Sequence, residues 1–386
     1  MKASPDGTDE GTSLREIAVL FLKLGATVFG GPAAHIARMR EEVIVRRSWM
    51  TDEDFFDLLA TTNFIPGPNS TEMAIHVGNR RAGWRGLVVA GVCFIFPAAA
   101  VTLVLAWAYT RFGSLPVAER FLHGVKPVII AIVAHAIWSL GRTAIRSWVS
   151  SLLCAAALIA AAAGVNELVV LLATGVASAA VQRIRDGLRT RAGVAGPAAI
   201  RLFRGAAIGV LAGAVPDVGR IFLAFLKIGS VLFGSGYVLL AFLRTEFVTR
   251  QHWLTERQLL DAVIAGQVTP GPVFSTATFI GYLLAGVPGG IAATAGIFLP
   301  AFVFVALTAP LLRAIARWPD MRPFLDGLVA GSLALMALVA WQLGRAAVVD
   351  WPTALISIVS AAVLFRFGRG GGWLILGGGL AGLLTG

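Results

Sequence analysis

Long apolar runs alternate with short charged connections along almost the whole chain. From Gly86 to Thr110 there is no charged residue, and between Arg257 and Arg313 the only one is Asp261. A helix needs about 20 apolar residues to cross the hydrocarbon core of a bilayer, so both stretches predict membrane helices. In the first half the pattern predicts a helix from about Leu14 to Gly30, then a charged connection from Arg38 to Asp54. An apolar segment interrupted at Pro66-Gly67-Pro68 follows. Further helices are expected from about Gly86 to Tyr109 and Phe121 to Gly141. A short pair, Val149 to Ala163 and Leu168 to Val181, turns at Gly164 to Glu167.

The same pattern starts again near Arg220. Shifted by 204 residues, Phe21 to Pro68 aligns without a gap on Phe225 to Pro272, with 16 identities in 48 positions. The shared residues include Phe21-Leu22-Lys23-x-Gly25, Phe29-Gly30, Arg40-x-Glu42, Trp49-x-Thr51, Asp57 and Pro66-Gly67-Pro68. Their mates are Phe225-Leu226-Lys227-x-Gly229, Phe233-Gly234, Arg244-x-Glu246, Trp253-x-Thr255, Asp261 and Pro270-Gly271-Pro272. After one deletion, Trp138-x-Leu140-Gly141-Arg142 matches Trp341-x-Leu343-Gly344-Arg345. A repeat of this length is the first fact to settle about a chain, because it fixes the architecture. The expected organisation is a polar tail over 1–13, a repeat over 14–182, an Arg-rich linker over 183–204 and a second repeat over 205–386. The pattern does not decide whether the short apolar run Gly205 to Pro216 crosses the membrane.

Composition excludes a water-soluble fold. The 386 residues are 57% hydrophobic and 14% charged, with a mean hydropathy of +0.80, where soluble domains carry about 25% charge. The net charge of +11 lies in short loops between apolar runs, as the positive-inside rule places it, and implies no nucleic-acid partner. Glycine, at 44 residues, suits close helix packing and interrupted helices. Cys93 and Cys154 both lie in apolar runs, and their spacing suits neither a disulfide framework nor a metal site, so no metal and no cofactor are expected. The acidic tail ahead of the first apolar run shows no removable signal peptide, and that run is expected to stay as an anchor.

Charge also separates the halves. Arg80, Arg81 and Arg85 mark the loop after the first broken segment, whereas Tyr282 to Gly290 carries no charge. Conversely, Val165 to Glu167 has no basic residue, while Arg366 and Arg369 lie near its counterpart. If basic loops face the cytoplasm, the halves insert upside down relative to each other. The expected fold class is therefore an all-α integral membrane protein whose two homologous halves are inverted-topology repeats with broken or re-entrant helices. Transporters of this plan bind their ligand near mid-membrane where the repeats meet.

Candidate chemistry gathers at the breaks. Proline removes an amide hydrogen and glycine permits unusual backbone angles, so Pro66-Gly67-Pro68 and Pro270-Gly271-Pro272 cannot continue a helix. Irregular backbone at membrane depth survives only inside protein or beside a watery cavity, and the positive end of a half-helix there can hold an anion. Backbone amides freed by the breaks are expected to face that anion. Around them stand Asn63, Asn69, Ser70 and Thr71 in one half and Gln267, Thr269, Ser275 and Thr276 in the other. Gly30, Gly31 and Pro32 form a second break, with Gly234 and Ser235 as its counterpart. Lys23 and Lys227, two of only four lysines, occupy matching places inside apolar segments, and an intramembrane charge is a functional candidate. Arg40 and Arg244 either form a vestibule that gathers anions or pair with acidic neighbours on a helix surface. Glu72, with Thr276 in its repeat position, can relay protons or pair with Arg80. His35 and His76 are expected to pack.

At these residues the chain resembles the chromate ion transporter family in its long form with two fused halves. The carriers of the resemblance are Phe29-Gly30-Gly31-Pro32, Trp49-x-Thr51, Pro66-Gly67-Pro68, Phe233-Gly234-Ser235-Gly236-Tyr237 and Pro270-Gly271-Pro272. The resemblance implies a multi-pass protein of the bacterial inner membrane that exports chromate and confers chromate resistance. Sulfate would be the competing tetrahedral dianion, and a homodimer is compatible with it. The chain is expected not to be an enzyme. The rivals are a sulfate or other anion permease and a membrane-embedded lipid-phosphate hydrolase using Ser70, or His35 with Glu42.

Overall fold

The computed structural model describes residues 13–29, 31–62, 65–145, 147–189, 216–233, 238–315, 321–367 and 371–385, which are helical with short connections and contain no strand. Residues 1–12 of the expected tail, most of the linker, and the run from Gly205 to Val215 lie outside the described residues, as do Gly30, Asn63, Gly234 and Ser235. The first repeat holds α1 (Leu14–Thr27), α2 (Gly31–Arg40), α3 (Asp52–Thr62), α4 (Asn69–Phe112), α5 (Pro116–Ala144), α6 (Trp148–Ala162) and α7 (Glu167–Arg189). The second holds α8 (Val218–Val231), α9 (Leu239–Leu243), α10 (Glu256–Val268), α11 (Thr276–Ile315), α12 (Met321–Ala347), α13 (Trp351–Phe367) and α14 (Gly371–Thr385).

The repeat extends to the devices that start and stop these helices. Ser13 accepts the amide of Arg15 at the head of α1, and its mate Asp217 accepts that of Arg220 at the head of α8. Thr51 and Thr255, the last residues of the Trp-x-Thr motifs, accept the amides of Asp54 and Gln258 in the same way. An oxygen at the N-cap satisfies an amide that the helix itself cannot, which is the physical content of that motif. Ser48 and His252, also repeat mates, turn the chain with φ of 50° and 53°.

Two expectations about α1 and the connection after it need correction. α1 ends at Thr27, because Val28 leaves helical geometry with ψ of 117°. The charged connection is not a loop: α2 continues into a π-helical stretch, Glu41–Arg46, matched by Arg244–Arg250 after α9. Arg38 and Arg46 reach Glu41 and Glu42 at helical spacing, which is why so polar a segment stays helical. The start of the expected linker is helical as well, since α7 runs through Arg189.

Among the described residues, five helices are long and apolar enough to cross a membrane, including Asn69–Phe112 and Val273–Leu307. α4 and α11 are each hairpins. Ala82-Gly83 and Ala285-Gly286 take the same non-helical backbone, with φ of 56° and 62° at the two glycines. The arms then fold back so closely that a Cβ on Gly78 would strike the carbonyl of Gly86, and one on Gly281 that of Gly289. Bare glycine lets the arms touch backbone to backbone. The first arm, Asn69 to Arg81, is about 20 Å long at 1.5 Å per residue, too short to cross a core of about 30 Å.

α4 and α11 pack on each other at the centre, with α1 against α4 and α8 against α11. The outer helices exchange partners: α14 and α13 lie on α5, while α7 and α6 lie on α12. Each repeat therefore completes the other, and neither buries its own apolar faces alone.

The hairpin turns supply reporters for the relative insertion of the halves. Trp84 and Val287 follow the two turns at matching places and are 71% and 47% exposed. Single cysteines there, with Cys93 and Cys154 replaced, are expected to react with an impermeant maleimide from opposite faces of the membrane. Labelling from one face would establish parallel repeats.

Candidate functional site

Two hydrogen bonds stitch the halves together at their breaks. Gly67 donates its amide to the carbonyl of Leu232 at 2.8 Å, and Gly271 donates its amide to that of Val28 at 3.1 Å. Gly67 and Gly271 are repeat mates, as are Val28 and Leu232, the residues that end α1 and α8. The breaks therefore pair reciprocally across the halves, each Pro-Gly-Pro segment meeting the end of the other repeat's first helix. Ala98, one residue beyond the proline inside α4, faces Gly271 at 2.9 Å from an added Cβ, and its mate Ala301 faces Gly67 at 3.7 Å. Pro66, Gly67 and Pro68 are buried, as are Gly271 and Pro272, while Pro270 is half-buried. Gly67 and Gly271 have φ of 143° and 93°, a backbone that glycine alone adopts without strain.

The geometry corrects the expectation of free amides at Gly67 and Gly271: both are spent on the partner repeat, and the flanking prolines have none. Close to the two breaks along the chain stand buried side-chain atoms without hydrogen-bond partners. They are the hydroxyls of Thr71 and its mate Ser275, both carboxyl oxygens of Glu72, and the amide nitrogen of Gln267. Buried polar groups in native proteins are nearly always paired, so a cluster of unspent ones asks for a ligand or water. Ser70 is buried beside them and Asn69 opens α4 directly after the break, where the positive end of the helix lies. Gly31, with φ of 77°, starts α2.

The expected lysines and arginines are engaged in two copies of one ion-pair network. Lys23 meets the buried Glu42 at 3.3 Å, and Lys227 meets Glu246 at 2.7 Å. Glu42 also holds Arg38, Arg46 and Arg47, whereas among the described residues Glu246 holds Arg250 and Gln251 besides its lysine. Arg40 pairs with Asp52 and Arg244 with Glu256, again repeat mates, so both candidate vestibule arginines are tied to the helix that follows them.

The inequality between the two networks predicts unequal mutants. Lys23→Met leaves Glu42 three cations and is expected to cost under about 1 kcal/mol. Lys227→Met strips the main partner from a nearly buried carboxylate and is expected to cost about 1–3 kcal/mol, recovered in part by adding Glu246→Gln. Thermal unfolding of the purified variants reads both. Equal losses of roughly tenfold or more in anion affinity, with no rescue by Glu246→Gln, would instead make both lysines direct anion ligands.

A second buried polar group escaped the sequence pattern. Lys126 in α5 meets Asp261 in α10 at 3.2 Å, and Tyr109 in α4 donates its hydroxyl to the same carboxylate at 2.9 Å. Lys126 and Tyr109 come from the first repeat and Asp261 from the second. Lys126 is reached from outside through a cavity of about 620 Å³ that is also lined by Arg120, His123 and Arg257. The signal was present in a lone lysine and a lone aspartate within apolar runs, but nothing in the chain order pairs them.

Two groups of the hydrolase rival, His35 and Glu42, are engaged elsewhere. His35 bonds the carbonyl of Val28 at 3.1 Å and stacks edge-on against Phe94, while Glu42 is enclosed by cations. Arg80 pairs with Asp54 at 2.6 Å rather than with Glu72. Among the described residues no group of three His, Cys, Asp or Glu side chains is placed to hold a metal ion.

Comparison with known proteins agrees with the doubled architecture. The sequence pattern described as chromate transporter matches residues 15–179 and again 219–383. A chromate transport protein of Cupriavidus metallidurans is 33% identical over 379 residues, covering 94% of this chain and 92% of the relative. A chromate transport protein of Pseudomonas aeruginosa is 31% identical, covering 97% and 92%, and a probable chromate transport protein of Synechococcus elongatus is 30% identical, covering 92% and 91%. No solved structure matches the chain. Two matched halves, apolar membrane-spanning helices and this likeness over nearly its full length make the chain a multi-pass bacterial membrane protein that belongs to the chromate transporter family.

Proposed function

We propose that the protein exports chromate from the cytoplasm, passing the dianion through the junction of the two repeats. The observation that supports this is the reciprocal pair of hydrogen bonds, Gly67 to Leu232 and Gly271 to Val28, which joins the breaks of the two repeats, with the unspent groups of Thr71, Ser275 and Gln267 a few residues from the Pro-Gly-Pro segments. Neutral donors of this kind can replace part of an anion's hydration, and the positive ends of α4 and α11 lie beside them. A path formed by both repeats suits carriage across a membrane, and the relatives are named as transport proteins rather than enzymes.

Radiolabelled flux in proteoliposomes of the purified protein tests the proposal. Saturable chromate movement, slowed by excess sulfate, is the expected result. In inverted membrane vesicles, energisation should drive accumulation of chromate, the equivalent of export. Sulfate movement without chromate movement would make the protein a sulfate permease, and uptake in right-side-out vesicles would reverse the direction.

A further inference from the structure

Among the described residues, Glu72 is a buried carboxyl group beside the Pro-Gly-Pro break that the network of ion pairs leaves out. Its side chain has no exposure, and neither carboxyl oxygen has a hydrogen-bond partner. It stands in the first turns of α4, against the bare face of Gly67, where a Cβ would strike its Oε1. The repeat mate is Thr276, whose hydroxyl is satisfied by the carbonyl of Val273, so the fold at this position does not call for a carboxyl group. One helical turn further on α4, His76 is also buried and its Nε2 has no partner.

Among the described residues, the elements around α4 offer Glu72 no counter-charge. On α1, Lys23 is engaged by Glu42; on α2, His35 is bound to Val28, and Arg38 and Arg40 are paired with Glu41 and Asp52. On α3, Asp54 is held by Arg80, Asp52 by Arg40, and Glu53 and Asp57 are exposed. On α10, Asp261 belongs to Lys126 and Tyr109, and α11 carries no charged residue from Thr276 to Leu307. An enclosed, unpaired carboxylate is strongly disfavoured against its protonated form.

We infer that Glu72 carries a proton together with the anion: the carboxyl is neutral while the junction is occluded and ionises when water reaches it. A dianion bound at the same break repels the carboxylate and so favours its protonation, and by linkage a protonated Glu72 favours the anion. Proton and anion then cross in the same direction, and one negative charge is removed from each transported dianion. His76 provides the next group along α4 able to pass that proton on. The inference rests on the proposed path through the junction, and its tests separate the two.

In detergent at low buffer strength, adding sulfate, which stays a dianion near neutral pH, should make the wild-type protein take up protons, and Glu72→Gln should take up none. In proteoliposomes an outward chromate or sulfate gradient should carry protons outward, read by an entrapped pH dye. Glu72→Gln, a neutral isostere, should move anion at a rate independent of pH and carry no protons. Anion flux without proton movement in the wild type, or unchanged proton movement in Glu72→Gln, would overturn the inference while leaving the path intact. Should the wild type carry neither anion, the proposed function fails, and infrared spectroscopy still decides the state of Glu72. A protonated-carboxyl band that grows as the pH is lowered and is missing from Glu72→Gln supports the inference, and its absence from the wild type at every pH overturns it.

Discussion

Replacing Gly67 or Gly271 by leucine should reduce anion flux by about 100-fold or more, the equivalent of roughly 3 kcal/mol at the barrier. Each glycine meets two demands at once. Its φ, 143° or 93°, lies where other residues are strained by about 1–3 kcal/mol. Its missing side chain also leaves room that others use. A Cβ on Gly67 runs into Glu72, and one on Gly271 comes within 2.9 Å of both Ala98 and the carbonyl of Gly25. The side chain would push apart the two repeats where Gly67 and Gly271 bind Leu232 and Val28, so flux should fall more steeply than yield of folded protein. Gly67→Ala should be milder, because Glu72 is the far end of a flexible side chain. Gly164→Leu is the matched control: its φ is 83°, but nothing lies within 4 Å of its added Cβ, in the turn between α6 and α7. Flux at the parental rate in folded Gly67→Leu and Gly271→Leu would reduce these breaks to kinks.

Much of this architecture is legible in the chain because the repeat is written in residues with strong local consequences. Pro-Gly-Pro forces a break wherever it stands, a threonine before an acidic turn starts a helix, and a charge-free run of membrane length spans. Those signals placed both breaks, the hairpin loop at Arg80 to Arg85 and the order of the helices. The partnership between breaks was not legible. A glycine amide looks free in sequence, and only the fold shows that Leu232 and Val28 consume the amides of Gly67 and Gly271. The lysines show the same limit: their repeated placement marked them as special, but Glu42 and Glu246 lie 19 residues away along the chain and reach them only because α1 and the π-helical stretches fold together. Conversely, Glu72 drew little weight in the sequence because it has no mate, and that asymmetry becomes informative once its surroundings show that nothing compensates it.

The ion pair between Lys126 and Asp261 should be the most costly side-chain contact to break singly. Its side chains are 11% and 1% exposed, and their contact at 3.2 Å crosses from one repeat to the other. Removing one member of a buried pair strands the other charge away from water, which costs about 3–5 kcal/mol, whereas removing both is often close to neutral. Lys126→Met and Asp261→Asn should therefore each destabilise the protein by several kcal/mol, about 3 or more, and the double variant should recover most of that loss. The pattern identifies the pair as a coupled unit rather than two independent contributions. Tyr109→Phe removes one hydrogen bond to a charged acceptor and should cost less, about 1.5–3 kcal/mol. Because Tyr109 and Lys126 reach Asp261 across the repeat boundary, the single variants should also loosen the junction, seen as faster hydrogen exchange in α4 and α10. Reversible unfolding in mixed micelles gives the four free energies of the cycle. Single variants within about 0.5 kcal/mol of the parent, typical of exposed surface positions, would show that water entering the 620 Å³ cavity beside Lys126 already shields the charges.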